Sequence, residues 1–549
     1  MDEFDYVVVG GGSAGCVAAA ELAKDGTRRV LMLESGPRAE DHPESLDADG
    51  YKEAFINDHI IWERFSTPQP NAAKQRVFLG TGTVLGGSGS VNGMVYTRGA
   101  RQDYDEWPEG WRWDDVQSDF EALESVLRPH KRPPTKWTEA CIDAAEQHGF
   151  RRSEDLNDGD LSDVIGYEWM SYDGQQRRSS YVAFIMDAPT RDNLVIETGA
   201  HVQRVVFDDD RRARSVEYVL DGEPRTAAVR HEVIMCAGAL ETPKLLMLSG
   251  VGPAEHLRQF DIPVVLDQPA IGENLHDHPN VPVFCKTPRE VDALYPQLYS
   301  FYRTHTGTDL PAGQADTCYV YWPAPSSMMQ MVKRVLPTML PQWLYGPRSK
   351  RFIRMMAEIV FKLPPVKAFV RGLFGIIIIL GKPKSRGRLR LQSTDPRVQA
   401  EIDPAYYDHP EDMETLVRGV RKAREILNAG ELATWKTWEL MPGKRTTSDK
   451  ALRRYIARNM LTTYHYAGTC RMGDDGASVV DLQLRMRGLS GIRVADASIM
   501  AMVPVSALNA PSMLIGYRAA RFVREGQRQG DTAVDDAAHA TYANGATSA

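Results

Sequence analysis

The sequence lacks any run of apolar residues long enough to cross a bilayer, which would take about 20 residues. Its longest such run, residues 373–380, has only the length of a β-strand. The first residues also lack the basic segment that opens a secretory signal peptide. These absences argue against a membrane-spanning helix and against secretion, and we expect a cytoplasmic protein.

Cysteine is scarce, and positive charge is not in excess. The chain of 549 residues has 6 cysteines, and no two of them have the spacing of a metal or redox pair. The net charge of −8 gives no reason to expect nucleic acid as a partner. We therefore expect reduced thiols, no metal site and no nucleic-acid partner. Residues 527–549 are almost free of large apolar side chains and are predicted to form a disordered tail.

The first 34 residues have the pattern of a strand, a helix and a second strand. Residues 6–9 form a short β-branched run, typical of a buried parallel strand. A glycine-rich loop follows, then the small-residue segment 16–23, which is typical of a helix, and then the apolar run 30–34. This length suffices for a right-handed parallel crossover.

The loop of this unit reads Gly10-Gly11-Gly12-Ser13-Ala14-Gly15 and satisfies the G-x-G-x-x-G pattern. Gly10 permits the tight turn, Gly12 lets the backbone approach a pyrophosphate at the helix N-terminus, and Gly15 allows close helix–strand packing. Glu34 ends the next strand about 20 positions later, where an acid accepts hydrogen bonds from a ribose. The motif predicts a dinucleotide site but leaves FAD and NAD open.

Three more segments carry glycine or histidine in unusual density. They span residues 82–99, 238–252 and 463–473. The glycines of the first segment would let main chain lie against a flat ligand. The second places Thr242 and Pro243 where a helix would begin. The third holds His465, which taken alone is more often structural than catalytic.

Taken together, these motifs resemble the glucose–methanol–choline (GMC) oxidoreductase family. Segment 238–252 matches the family's second signature, and segment 82–99 resembles the first. The turn at 271–278 and the segments 384–388 and 395–396 are also similar to family motifs. The resemblance extends over roughly residues 4–525 and is weakest between 285 and 380. It implies FAD rather than NAD.

The resemblance also implies a catalytic pair, His465 and Asn509. A neutral imidazole with a pKa near ~6.5 could accept the hydroxyl proton of an alcohol while a hydride leaves its carbon. The Asn509 amide could donate to the alkoxide oxygen. The residues expected to bind the cofactor are Gly10, Gly12, Ser13, Ala14, Gly15, Glu34, Val84, Asn92, Gly93, Val95, Val202, Asp496 and Ala497.

Several positions depart from the family pattern. Val91 stands where some relatives carry a histidine bonded covalently to FAD, so we expect non-covalent FAD. Thr83 replaces a usual basic residue, which puts one cofactor contact in doubt. The Tyr466-Ala467 step and the segment 503–508 also differ, and both flank the expected pocket. The substrate therefore cannot be transferred from any well-known relative.

The expected fold is α/β, with a Rossmann-like FAD-binding domain assembled from discontinuous segments and an α+β substrate domain containing an antiparallel sheet. The FAD-binding domain is expected to comprise residues 1–120, 190–284 and 455–526. The substrate domain is expected to comprise residues 121–189 and 285–454.

The expected function is FAD-dependent oxidation of an alcohol, most simply a primary one, to the aldehyde. Aliphatic, aromatic and sugar-like or aminoglycoside-like alcohols all remain candidates, and the electron acceptor is oxygen or a carrier such as a quinone. The alternative is a non-redox lyase on the same flavoprotein scaffold, since a fold does not fix a function.

One segment is not explained by the resemblance. Residues 328–371 contain nine basic side chains and one acidic one, mixed with many large apolar residues. Such a mixture is typical of an interfacial membrane helix, and its methionines would also suit an adaptable hydrophobic entrance. A helical lid or an oligomer contact is the simpler interpretation, and a peripheral membrane contact or a lipid-like substrate is the alternative.

Overall fold

A computed structural model of the chain describes residues 2–304, 307, 310–341 and 343–526. The predicted disordered tail, 527–549, lies outside these residues. Two large β-sheets organise the described chain, one of seven strands and one of eight. The mixed α/β fold expected from the sequence is confirmed.

The seven-stranded sheet has a parallel core. Asp2–Val9 lies between Val30–Glu34 and Glu223–Met235, with Val8 opposite both Met32 and Ile234. All five residues of Val30–Glu34 are buried, as the continuous apolar run predicts. The strands in spatial order are Leu194–Thr198, Val30–Glu34, Asp2–Val9, Glu223–Met235, Ala213–Leu220 and His201–Phe207, while Ile492–Val494 also pairs with Glu223–Met235.

Two helices meet beside this core. Ser13–Leu22 follows the first strand, and the helix of residues 509–526 crosses its start. A Cβ atom on Gly516 would lie 2.2 Å from the carbonyl oxygen of Ala14, so only glycine permits this approach. The C-terminal segment is thereby held against the glycine loop.

The eight-stranded sheet is antiparallel apart from one pair at its edge. Its strands in spatial order are Trp438–Met441, Pro279–Lys286, Leu373–Leu380, Thr317–Pro323, Leu298–Tyr302, Val164–Tyr167 and Arg151–Arg152, and Leu461–Thr462 also pairs with Pro279–Lys286. Helices Lys136–Glu146 and Pro410–Leu427 pack on this sheet. The other face of its central strands is turned toward the seven-stranded sheet and bounds the cavity described below.

The remaining elements are short helices and two- or three-stranded ribbons. The other α-helices are Tyr51–Ile56, Arg101–Asp105, Trp113–Leu127, Thr242–Leu248, Ala254–Arg258, Met328–Thr338, Pro347–Lys362, Pro364–Val370, Gly430–Thr434 and Asp449–Asn459. The ribbons are formed by Ile61–Trp62 with Thr81–Gly82, Val95–Tyr96 and His130–Lys131 with Trp169–Met170, Tyr172–Asp173 with Gln176–Arg177, Val251–Gly252 with Leu266–Asp267, and Arg388–Arg390 with Glu401–Asp403. No helix in the described part of the chain is both long and apolar enough to cross a membrane.

The division into two domains remains a proposal. Its main feature, a dinucleotide sheet built from segments far apart in the chain, agrees with the strand pairing. Two stretches expected in the FAD-binding domain, residues 279–284 and Leu461–Thr462, pair in the eight-stranded sheet. We propose that the central FAD-binding segment ends before residue 279 rather than at 284. All six cysteines lie within the described residues, where they are buried and free.

Candidate active site

A cavity of about 840 Å³ lies between the two sheets. It begins at the carboxyl ends of the parallel strands, at Val9, Glu34 and Cys236, which is where open α/β sheets bind their ligands. It ends against Val320 and Ile377 of the eight-stranded sheet. Its volume lies within the usual range for a small-molecule or cofactor site.

The glycine loop turns sharply at the start of this cavity. Gly10 has a φ of 105°, and a Cβ there would lie 2.5 Å from the carbonyl oxygen of Cys236. A Cβ on Gly15 would lie 1.9 Å from the carbonyl oxygen of Gly10. Gly12 is different, because the heavy atom nearest to a Cβ added there is the Cα of Gly87, at 3.9 Å. Gly10 and Gly15 thus serve packing, whereas Gly12 leaves space at the cavity wall.

The helix after the loop presents an uncapped N-terminus to the cavity. Its N-cap is Gly12, which offers no side chain, and its first turn contains no acidic residue. Ser13 and Ala14 line the cavity beside it. The unsatisfied backbone N–H groups of such a helix start, together with its dipole, favour a phosphate group. A pyrophosphate fits this position.

Glu34 is buried at the end of the second strand and organises the loop. The backbone N–H of Gly11 donates to its Oε2, and that of Gly36 donates to its Oε1, each at 2.8 Å. Burial raises the pKa of this carboxyl, while the two backbone donors oppose that shift. Each carboxylate oxygen has further acceptor capacity, which a ribose hydroxyl could use from the cavity.

The other predicted cofactor residues are divided between the cavity and the core. Those that line the cavity are Asn92, Gly93, Val95, Val202, Asp496 and Ala497. Val84 does not line it and is fully buried, and Gly15 also lies behind the wall. Asp496 accepts hydrogen bonds from the backbone N–H of Gly238 and the hydroxyl of Thr242, so it holds the start of segment 238–252 at the cavity.

His465 and Asn509 both line the cavity, although 44 residues separate them in the chain. The hydroxyl of Ser13 donates to Oδ1 of Asn509 at 2.8 Å. This bond turns the amide so that its Nδ2 hydrogens are available to a ligand. The backbone N–H of His465 donates to Oδ1 of Asp277 at 2.8 Å.

Asp277 is a buried anchor for the histidine segment. Its Oδ2 accepts hydrogen bonds from the hydroxyls of Tyr406 and Thr462, each at 2.5 Å. Burial raises the pKa of this carboxyl, and the bonds from Thr462, Tyr406 and the backbone counteract the increase. The three donors fix the backbone at His465, because moving it would leave a buried carboxylate oxygen unsatisfied.

A second histidine contacts the first. The Nδ1 atoms of His278 and His465 are 2.9 Å apart, and the two rings meet edge to face at 85°. Desolvation lowers the pKa of His465 to about 4. Desolvation also lowers the pKa of His278, and the neighbouring His465 lowers it further. Both rings are therefore neutral at pH 7, so one Nδ1 carries a hydrogen and the other accepts it.

The chamber in front of this pair is largely apolar. Tyr299, Val320 and Ile377 stand side by side on three adjacent strands and form one wall. Trp322, Ile379, Val505, Phe55, Phe78 and Tyr464 add further apolar surface. The acidic residues around the whole cavity are Glu34, Glu241 and Asp496.

Each of these three acids already accepts hydrogen bonds from other groups of the chain. Glu34 and Asp496 accept the hydrogen bonds described above. Glu241 accepts two hydrogen bonds from the guanidinium of Arg64, at 3.1 and 2.8 Å, and forms an ion pair with Lys244. No unpaired carboxylate therefore faces the chamber in the described part of the chain.

The family models for GMC oxidoreductase match residues 4–280 and 383–516. The chain belongs to the GMC oxidoreductase family. The sequence is 34% identical over 568 residues to choline oxidase of Arthrobacter globiformis, covering 97% of this chain and 96% of that protein. It is 33% identical over 551 residues to an alcohol dehydrogenase [acceptor] of Pseudomonas putida, covering 95% of both.

Solved structures agree with this GMC oxidoreductase fold. Pyridoxine 4-oxidase from Mesorbium loti superposes with a TM-score of 0.81 at 27% identity, over 94% of this chain and 98% of that one. A formate oxidase from Aspergillus oryzae has the same TM-score of 0.81 at 22% identity. The family predicted from the motifs is thus confirmed, and membership supports FAD as the cofactor.

Two residues of the site in this GMC oxidoreductase, Asp277 and His278, are not predicted by the sequence. The sequence places them only in a family-like turn. Their spacing to His465 gave no sign of contact, because the contacts join residues 187 or 188 positions apart. The sequence feature that could have indicated them is the Asp277-His278 pair directly before the apolar strand Pro279–Lys286. The expected pKa near 6.5 for His465 also needs correction, since burial lowers it to about 4.

Proposed function

We propose that the protein oxidises the CH–OH group of an uncharged alcohol, with FAD as the cofactor. The observation that carries the proposal is His465, a neutral imidazole held by Asp277 and His278 in the same cavity as the uncapped helix start. When bound, FAD supplies the two-electron acceptor for the hydride that leaves the alcohol carbon. Gly12, Ser13 and Glu34 would hold its pyrophosphate and ribose.

In this proposal His465 takes the hydroxyl proton on Nε2, the ring nitrogen for which the described residues offer no partner. For Nε2 to accept, the hydrogen must be on Nδ1, which then donates to Nδ1 of His278. We therefore propose His278 as a positioning residue that accepts this hydrogen and so favours the required tautomer. Asn509 donates from Nδ2 to the alcohol oxygen and stabilises its developing negative charge.

The substrate is proposed to be uncharged and mainly apolar. Choline carries a fixed positive charge, and burying it without a carboxylate would be costly. The described residues place no unpaired carboxylate in the chamber. Its aromatic rings attract a quaternary ammonium, but by only about 0.5–2 kcal/mol, which offsets part of that cost. We therefore infer that the substrate differs from choline, although choline oxidase is among the relatives. A primary aliphatic or aromatic alcohol fits better than a sugar or an aminoglycoside.

The test is anaerobic reduction of the bound flavin by an added alcohol, which is monitored as the loss of the flavin's visible absorbance. Benzyl alcohol and 1-octanol are expected to bleach the flavin, and choline is not. His465→Ala is expected to retain flavin but to slow its reduction by at least ~100-fold, the lower end of general-base contributions. Rapid bleaching by choline would refute the proposed substrate class, and wild-type reduction rates in His465→Ala would refute the role of the base.

We propose further that FAD is bound without a covalent link. Val91 lines the cavity at the position where a histidine would be needed, and its side chain cannot form such a bond. Acid precipitation should leave all the yellow colour in solution. Colour retained in the pellet would contradict the proposal.

Three finer points of the function remain predictions. The electron acceptor is oxygen or a carrier such as a quinone, and peroxide detection in air distinguishes these. A cytoplasmic location stays an expectation from the sequence. The alternative of a non-redox lyase has no support from the relatives, whose names are those of oxidases and dehydrogenases.

A further inference from the structure

Helix Pro347–Lys362 has its polar and apolar faces reversed relative to an ordinary surface helix. Lys350 and Ala357 are buried, and Arg354 points inward with them. Phe352, Met355, Met356, Ile359 and Val360 lie on the opposite side, where each exposes between 40% and 60% of its surface. In a soluble protein such an apolar stripe normally faces the core.

Specific ion pairs fix this reversed orientation. Asp58 and Glu63 lie under the helices and bind Arg334 and Lys350, at 2.8 to 3.0 Å. Arg354 adds two hydrogen bonds to the carboxylate of Asp58, at 2.9 and 2.8 Å. These partners lower the pKa of the Asp58 carboxyl against the effect of its burial. Rotating the helix to hide its apolar face would remove Lys350, which is buried, and Arg354 from these carboxylates. Breaking such a pair at a buried charge is unfavourable.

Among the described residues, apolar exposure is concentrated in this one part of the chain. Of the fifteen large apolar side chains that the described residues expose, eleven lie between residues 336 and 369. They are Leu336, Met339, Trp343, Leu344, Phe352, Met355, Met356, Ile359, Val360, Leu363 and Phe369. We call these eleven residues the apolar face. Contiguous patches of this kind mark surfaces that bind a partner or a membrane.

Exposed basic side chains are interspersed with the residues of the apolar face along the chain. Arg348, Arg351, Lys367 and Arg371 are exposed, and none has an ion pair or side-chain hydrogen bond with the described residues. Lys362 is also exposed, and it shares Glu358 with Lys333. Long basic side chains at the edge of an apolar stripe can reach lipid phosphates while the stripe enters the acyl region.

The apolar face and the cavity share one helix. Met331 and Val335, on helix Met328–Thr338, line the cavity, and Leu336 on the same helix belongs to the apolar face. Helices Met328–Thr338 and Pro347–Lys362 pack on each other, so the face and the cavity share one wall. A surface that covered the face would therefore lie next to the substrate chamber.

We propose that the apolar face docks onto the surface of an anionic phospholipid membrane. The unpaired basic residues around it match anionic headgroups in charge. The same residues argue against a second copy of the chain as the occupant, because a symmetric pairing would bring Arg348, Arg351 and Lys367 of both copies together. The docking depends on the surface alone and does not require the proposed alcohol oxidation.

The proposal is tested by co-sedimentation of the flavin-loaded protein with vesicles. The wild type is expected to bind vesicles containing phosphatidylglycerol at low salt and to bind pure phosphatidylcholine several-fold more weakly. The double variant Phe352→Ser/Ile359→Ser should reduce the bound fraction at least about tenfold, since two large side chains no longer enter the bilayer. Arg351→Gln/Lys367→Gln should weaken binding to the anionic vesicles by about tenfold.

A matched control changes two exposed apolar residues elsewhere. Val398 and Trp438 expose 41% and 40% of their surface, and Val398→Ser/Trp438→Ser should bind as the wild type does. Circular dichroism and bound flavin absorbance establish that each variant is folded. Absence of wild-type binding at low salt would overturn the proposal, and so would equal loss in the control. A wild-type dimer that dissociates in Phe352→Ser/Ile359→Ser would instead assign the face to a second copy.

Discussion

The low pKa of His465 gives a prediction about the pH dependence of the reaction. The change is a fall in pH from 7.5 to 5.5. Because burial lowers the pKa of His465 to about 4, the group should stay a neutral base throughout this range. With a pKa of about 4, roughly 97% of the imidazole is neutral at pH 5.5. With the ordinary value of about 6.5, only about 9% would be neutral there. The two cases differ about tenfold in the active fraction.

The measurement is the rate of anaerobic flavin reduction by benzyl alcohol, which has no titratable group in this range. The second-order rate constant at low substrate reports the ionisation of the free enzyme. It should be constant from pH 7.5 to 5.5 and should decline only as the pH approaches 4. Rapid mixing from pH 7 into the acidic buffer keeps the exposure short, and far-UV circular dichroism after mixing controls for unfolding.

A decline of about tenfold between pH 7.5 and 5.5, with the protein still folded, would refute this reasoning. It would mean that His465 has the pKa of a histidine exposed to water, so burial would not control the pKa of the proposed base. His465→Ala serves as the control, because its residual rate should not follow the ionisation of that imidazole.

Two further predictions concern the residues around the base and the loop. His278→Leu should slow flavin reduction by about tenfold, which is the effect of losing one hydrogen bond. His278→Gln should keep most of the rate, because its amide oxygen can accept the same hydrogen from His465. Equal rates in the two variants would contradict the tautomer assignment. Gly15→Ala should lower both the melting temperature and the flavin content, since its Cβ would meet a backbone oxygen at 1.9 Å. Gly476→Ala is the matched control, as no heavy atom lies within 4 Å of its added Cβ, and a similar loss in both variants would argue against steric packing at the loop.

Local spacing made part of the site predictable. The loop of Gly10, Gly12 and Gly15 is encoded within six residues, and its turn, its helix and the following strand all form where the pattern indicates. Glu34 could be placed for the same reason, because a parallel crossover has a nearly fixed length. His465 and Asn509 were identified only through the resemblance to the family, since their own neighbourhoods carry no chemical pattern.

The remaining features depend on contacts between distant segments. His278 reaches His465 because Pro279–Lys286 pairs with Leu461–Thr462, and no sequence spacing indicates that pairing. The pKa of His465 follows from how completely the folded chain surrounds it. The orientation of helix Pro347–Lys362 is a third example. Its sequence has a basic and an apolar side, but Asp58 and the neighbouring Glu63 determine which side turns inward.

The pairing of Ile492–Val494 with Glu223–Met235 sets an order of events during synthesis of the chain. The sheet that supports the glycine loop acquires its last strand only after some 260 further residues have left the ribosome. At about 5–20 residues per second, that interval lasts roughly 13 to 50 s. The nascent chain must keep an apolar sheet edge covered during this time. A chain released before residue 492 would lack both the last strand and Asn509, so retention of the flavin would report that translation had passed these residues.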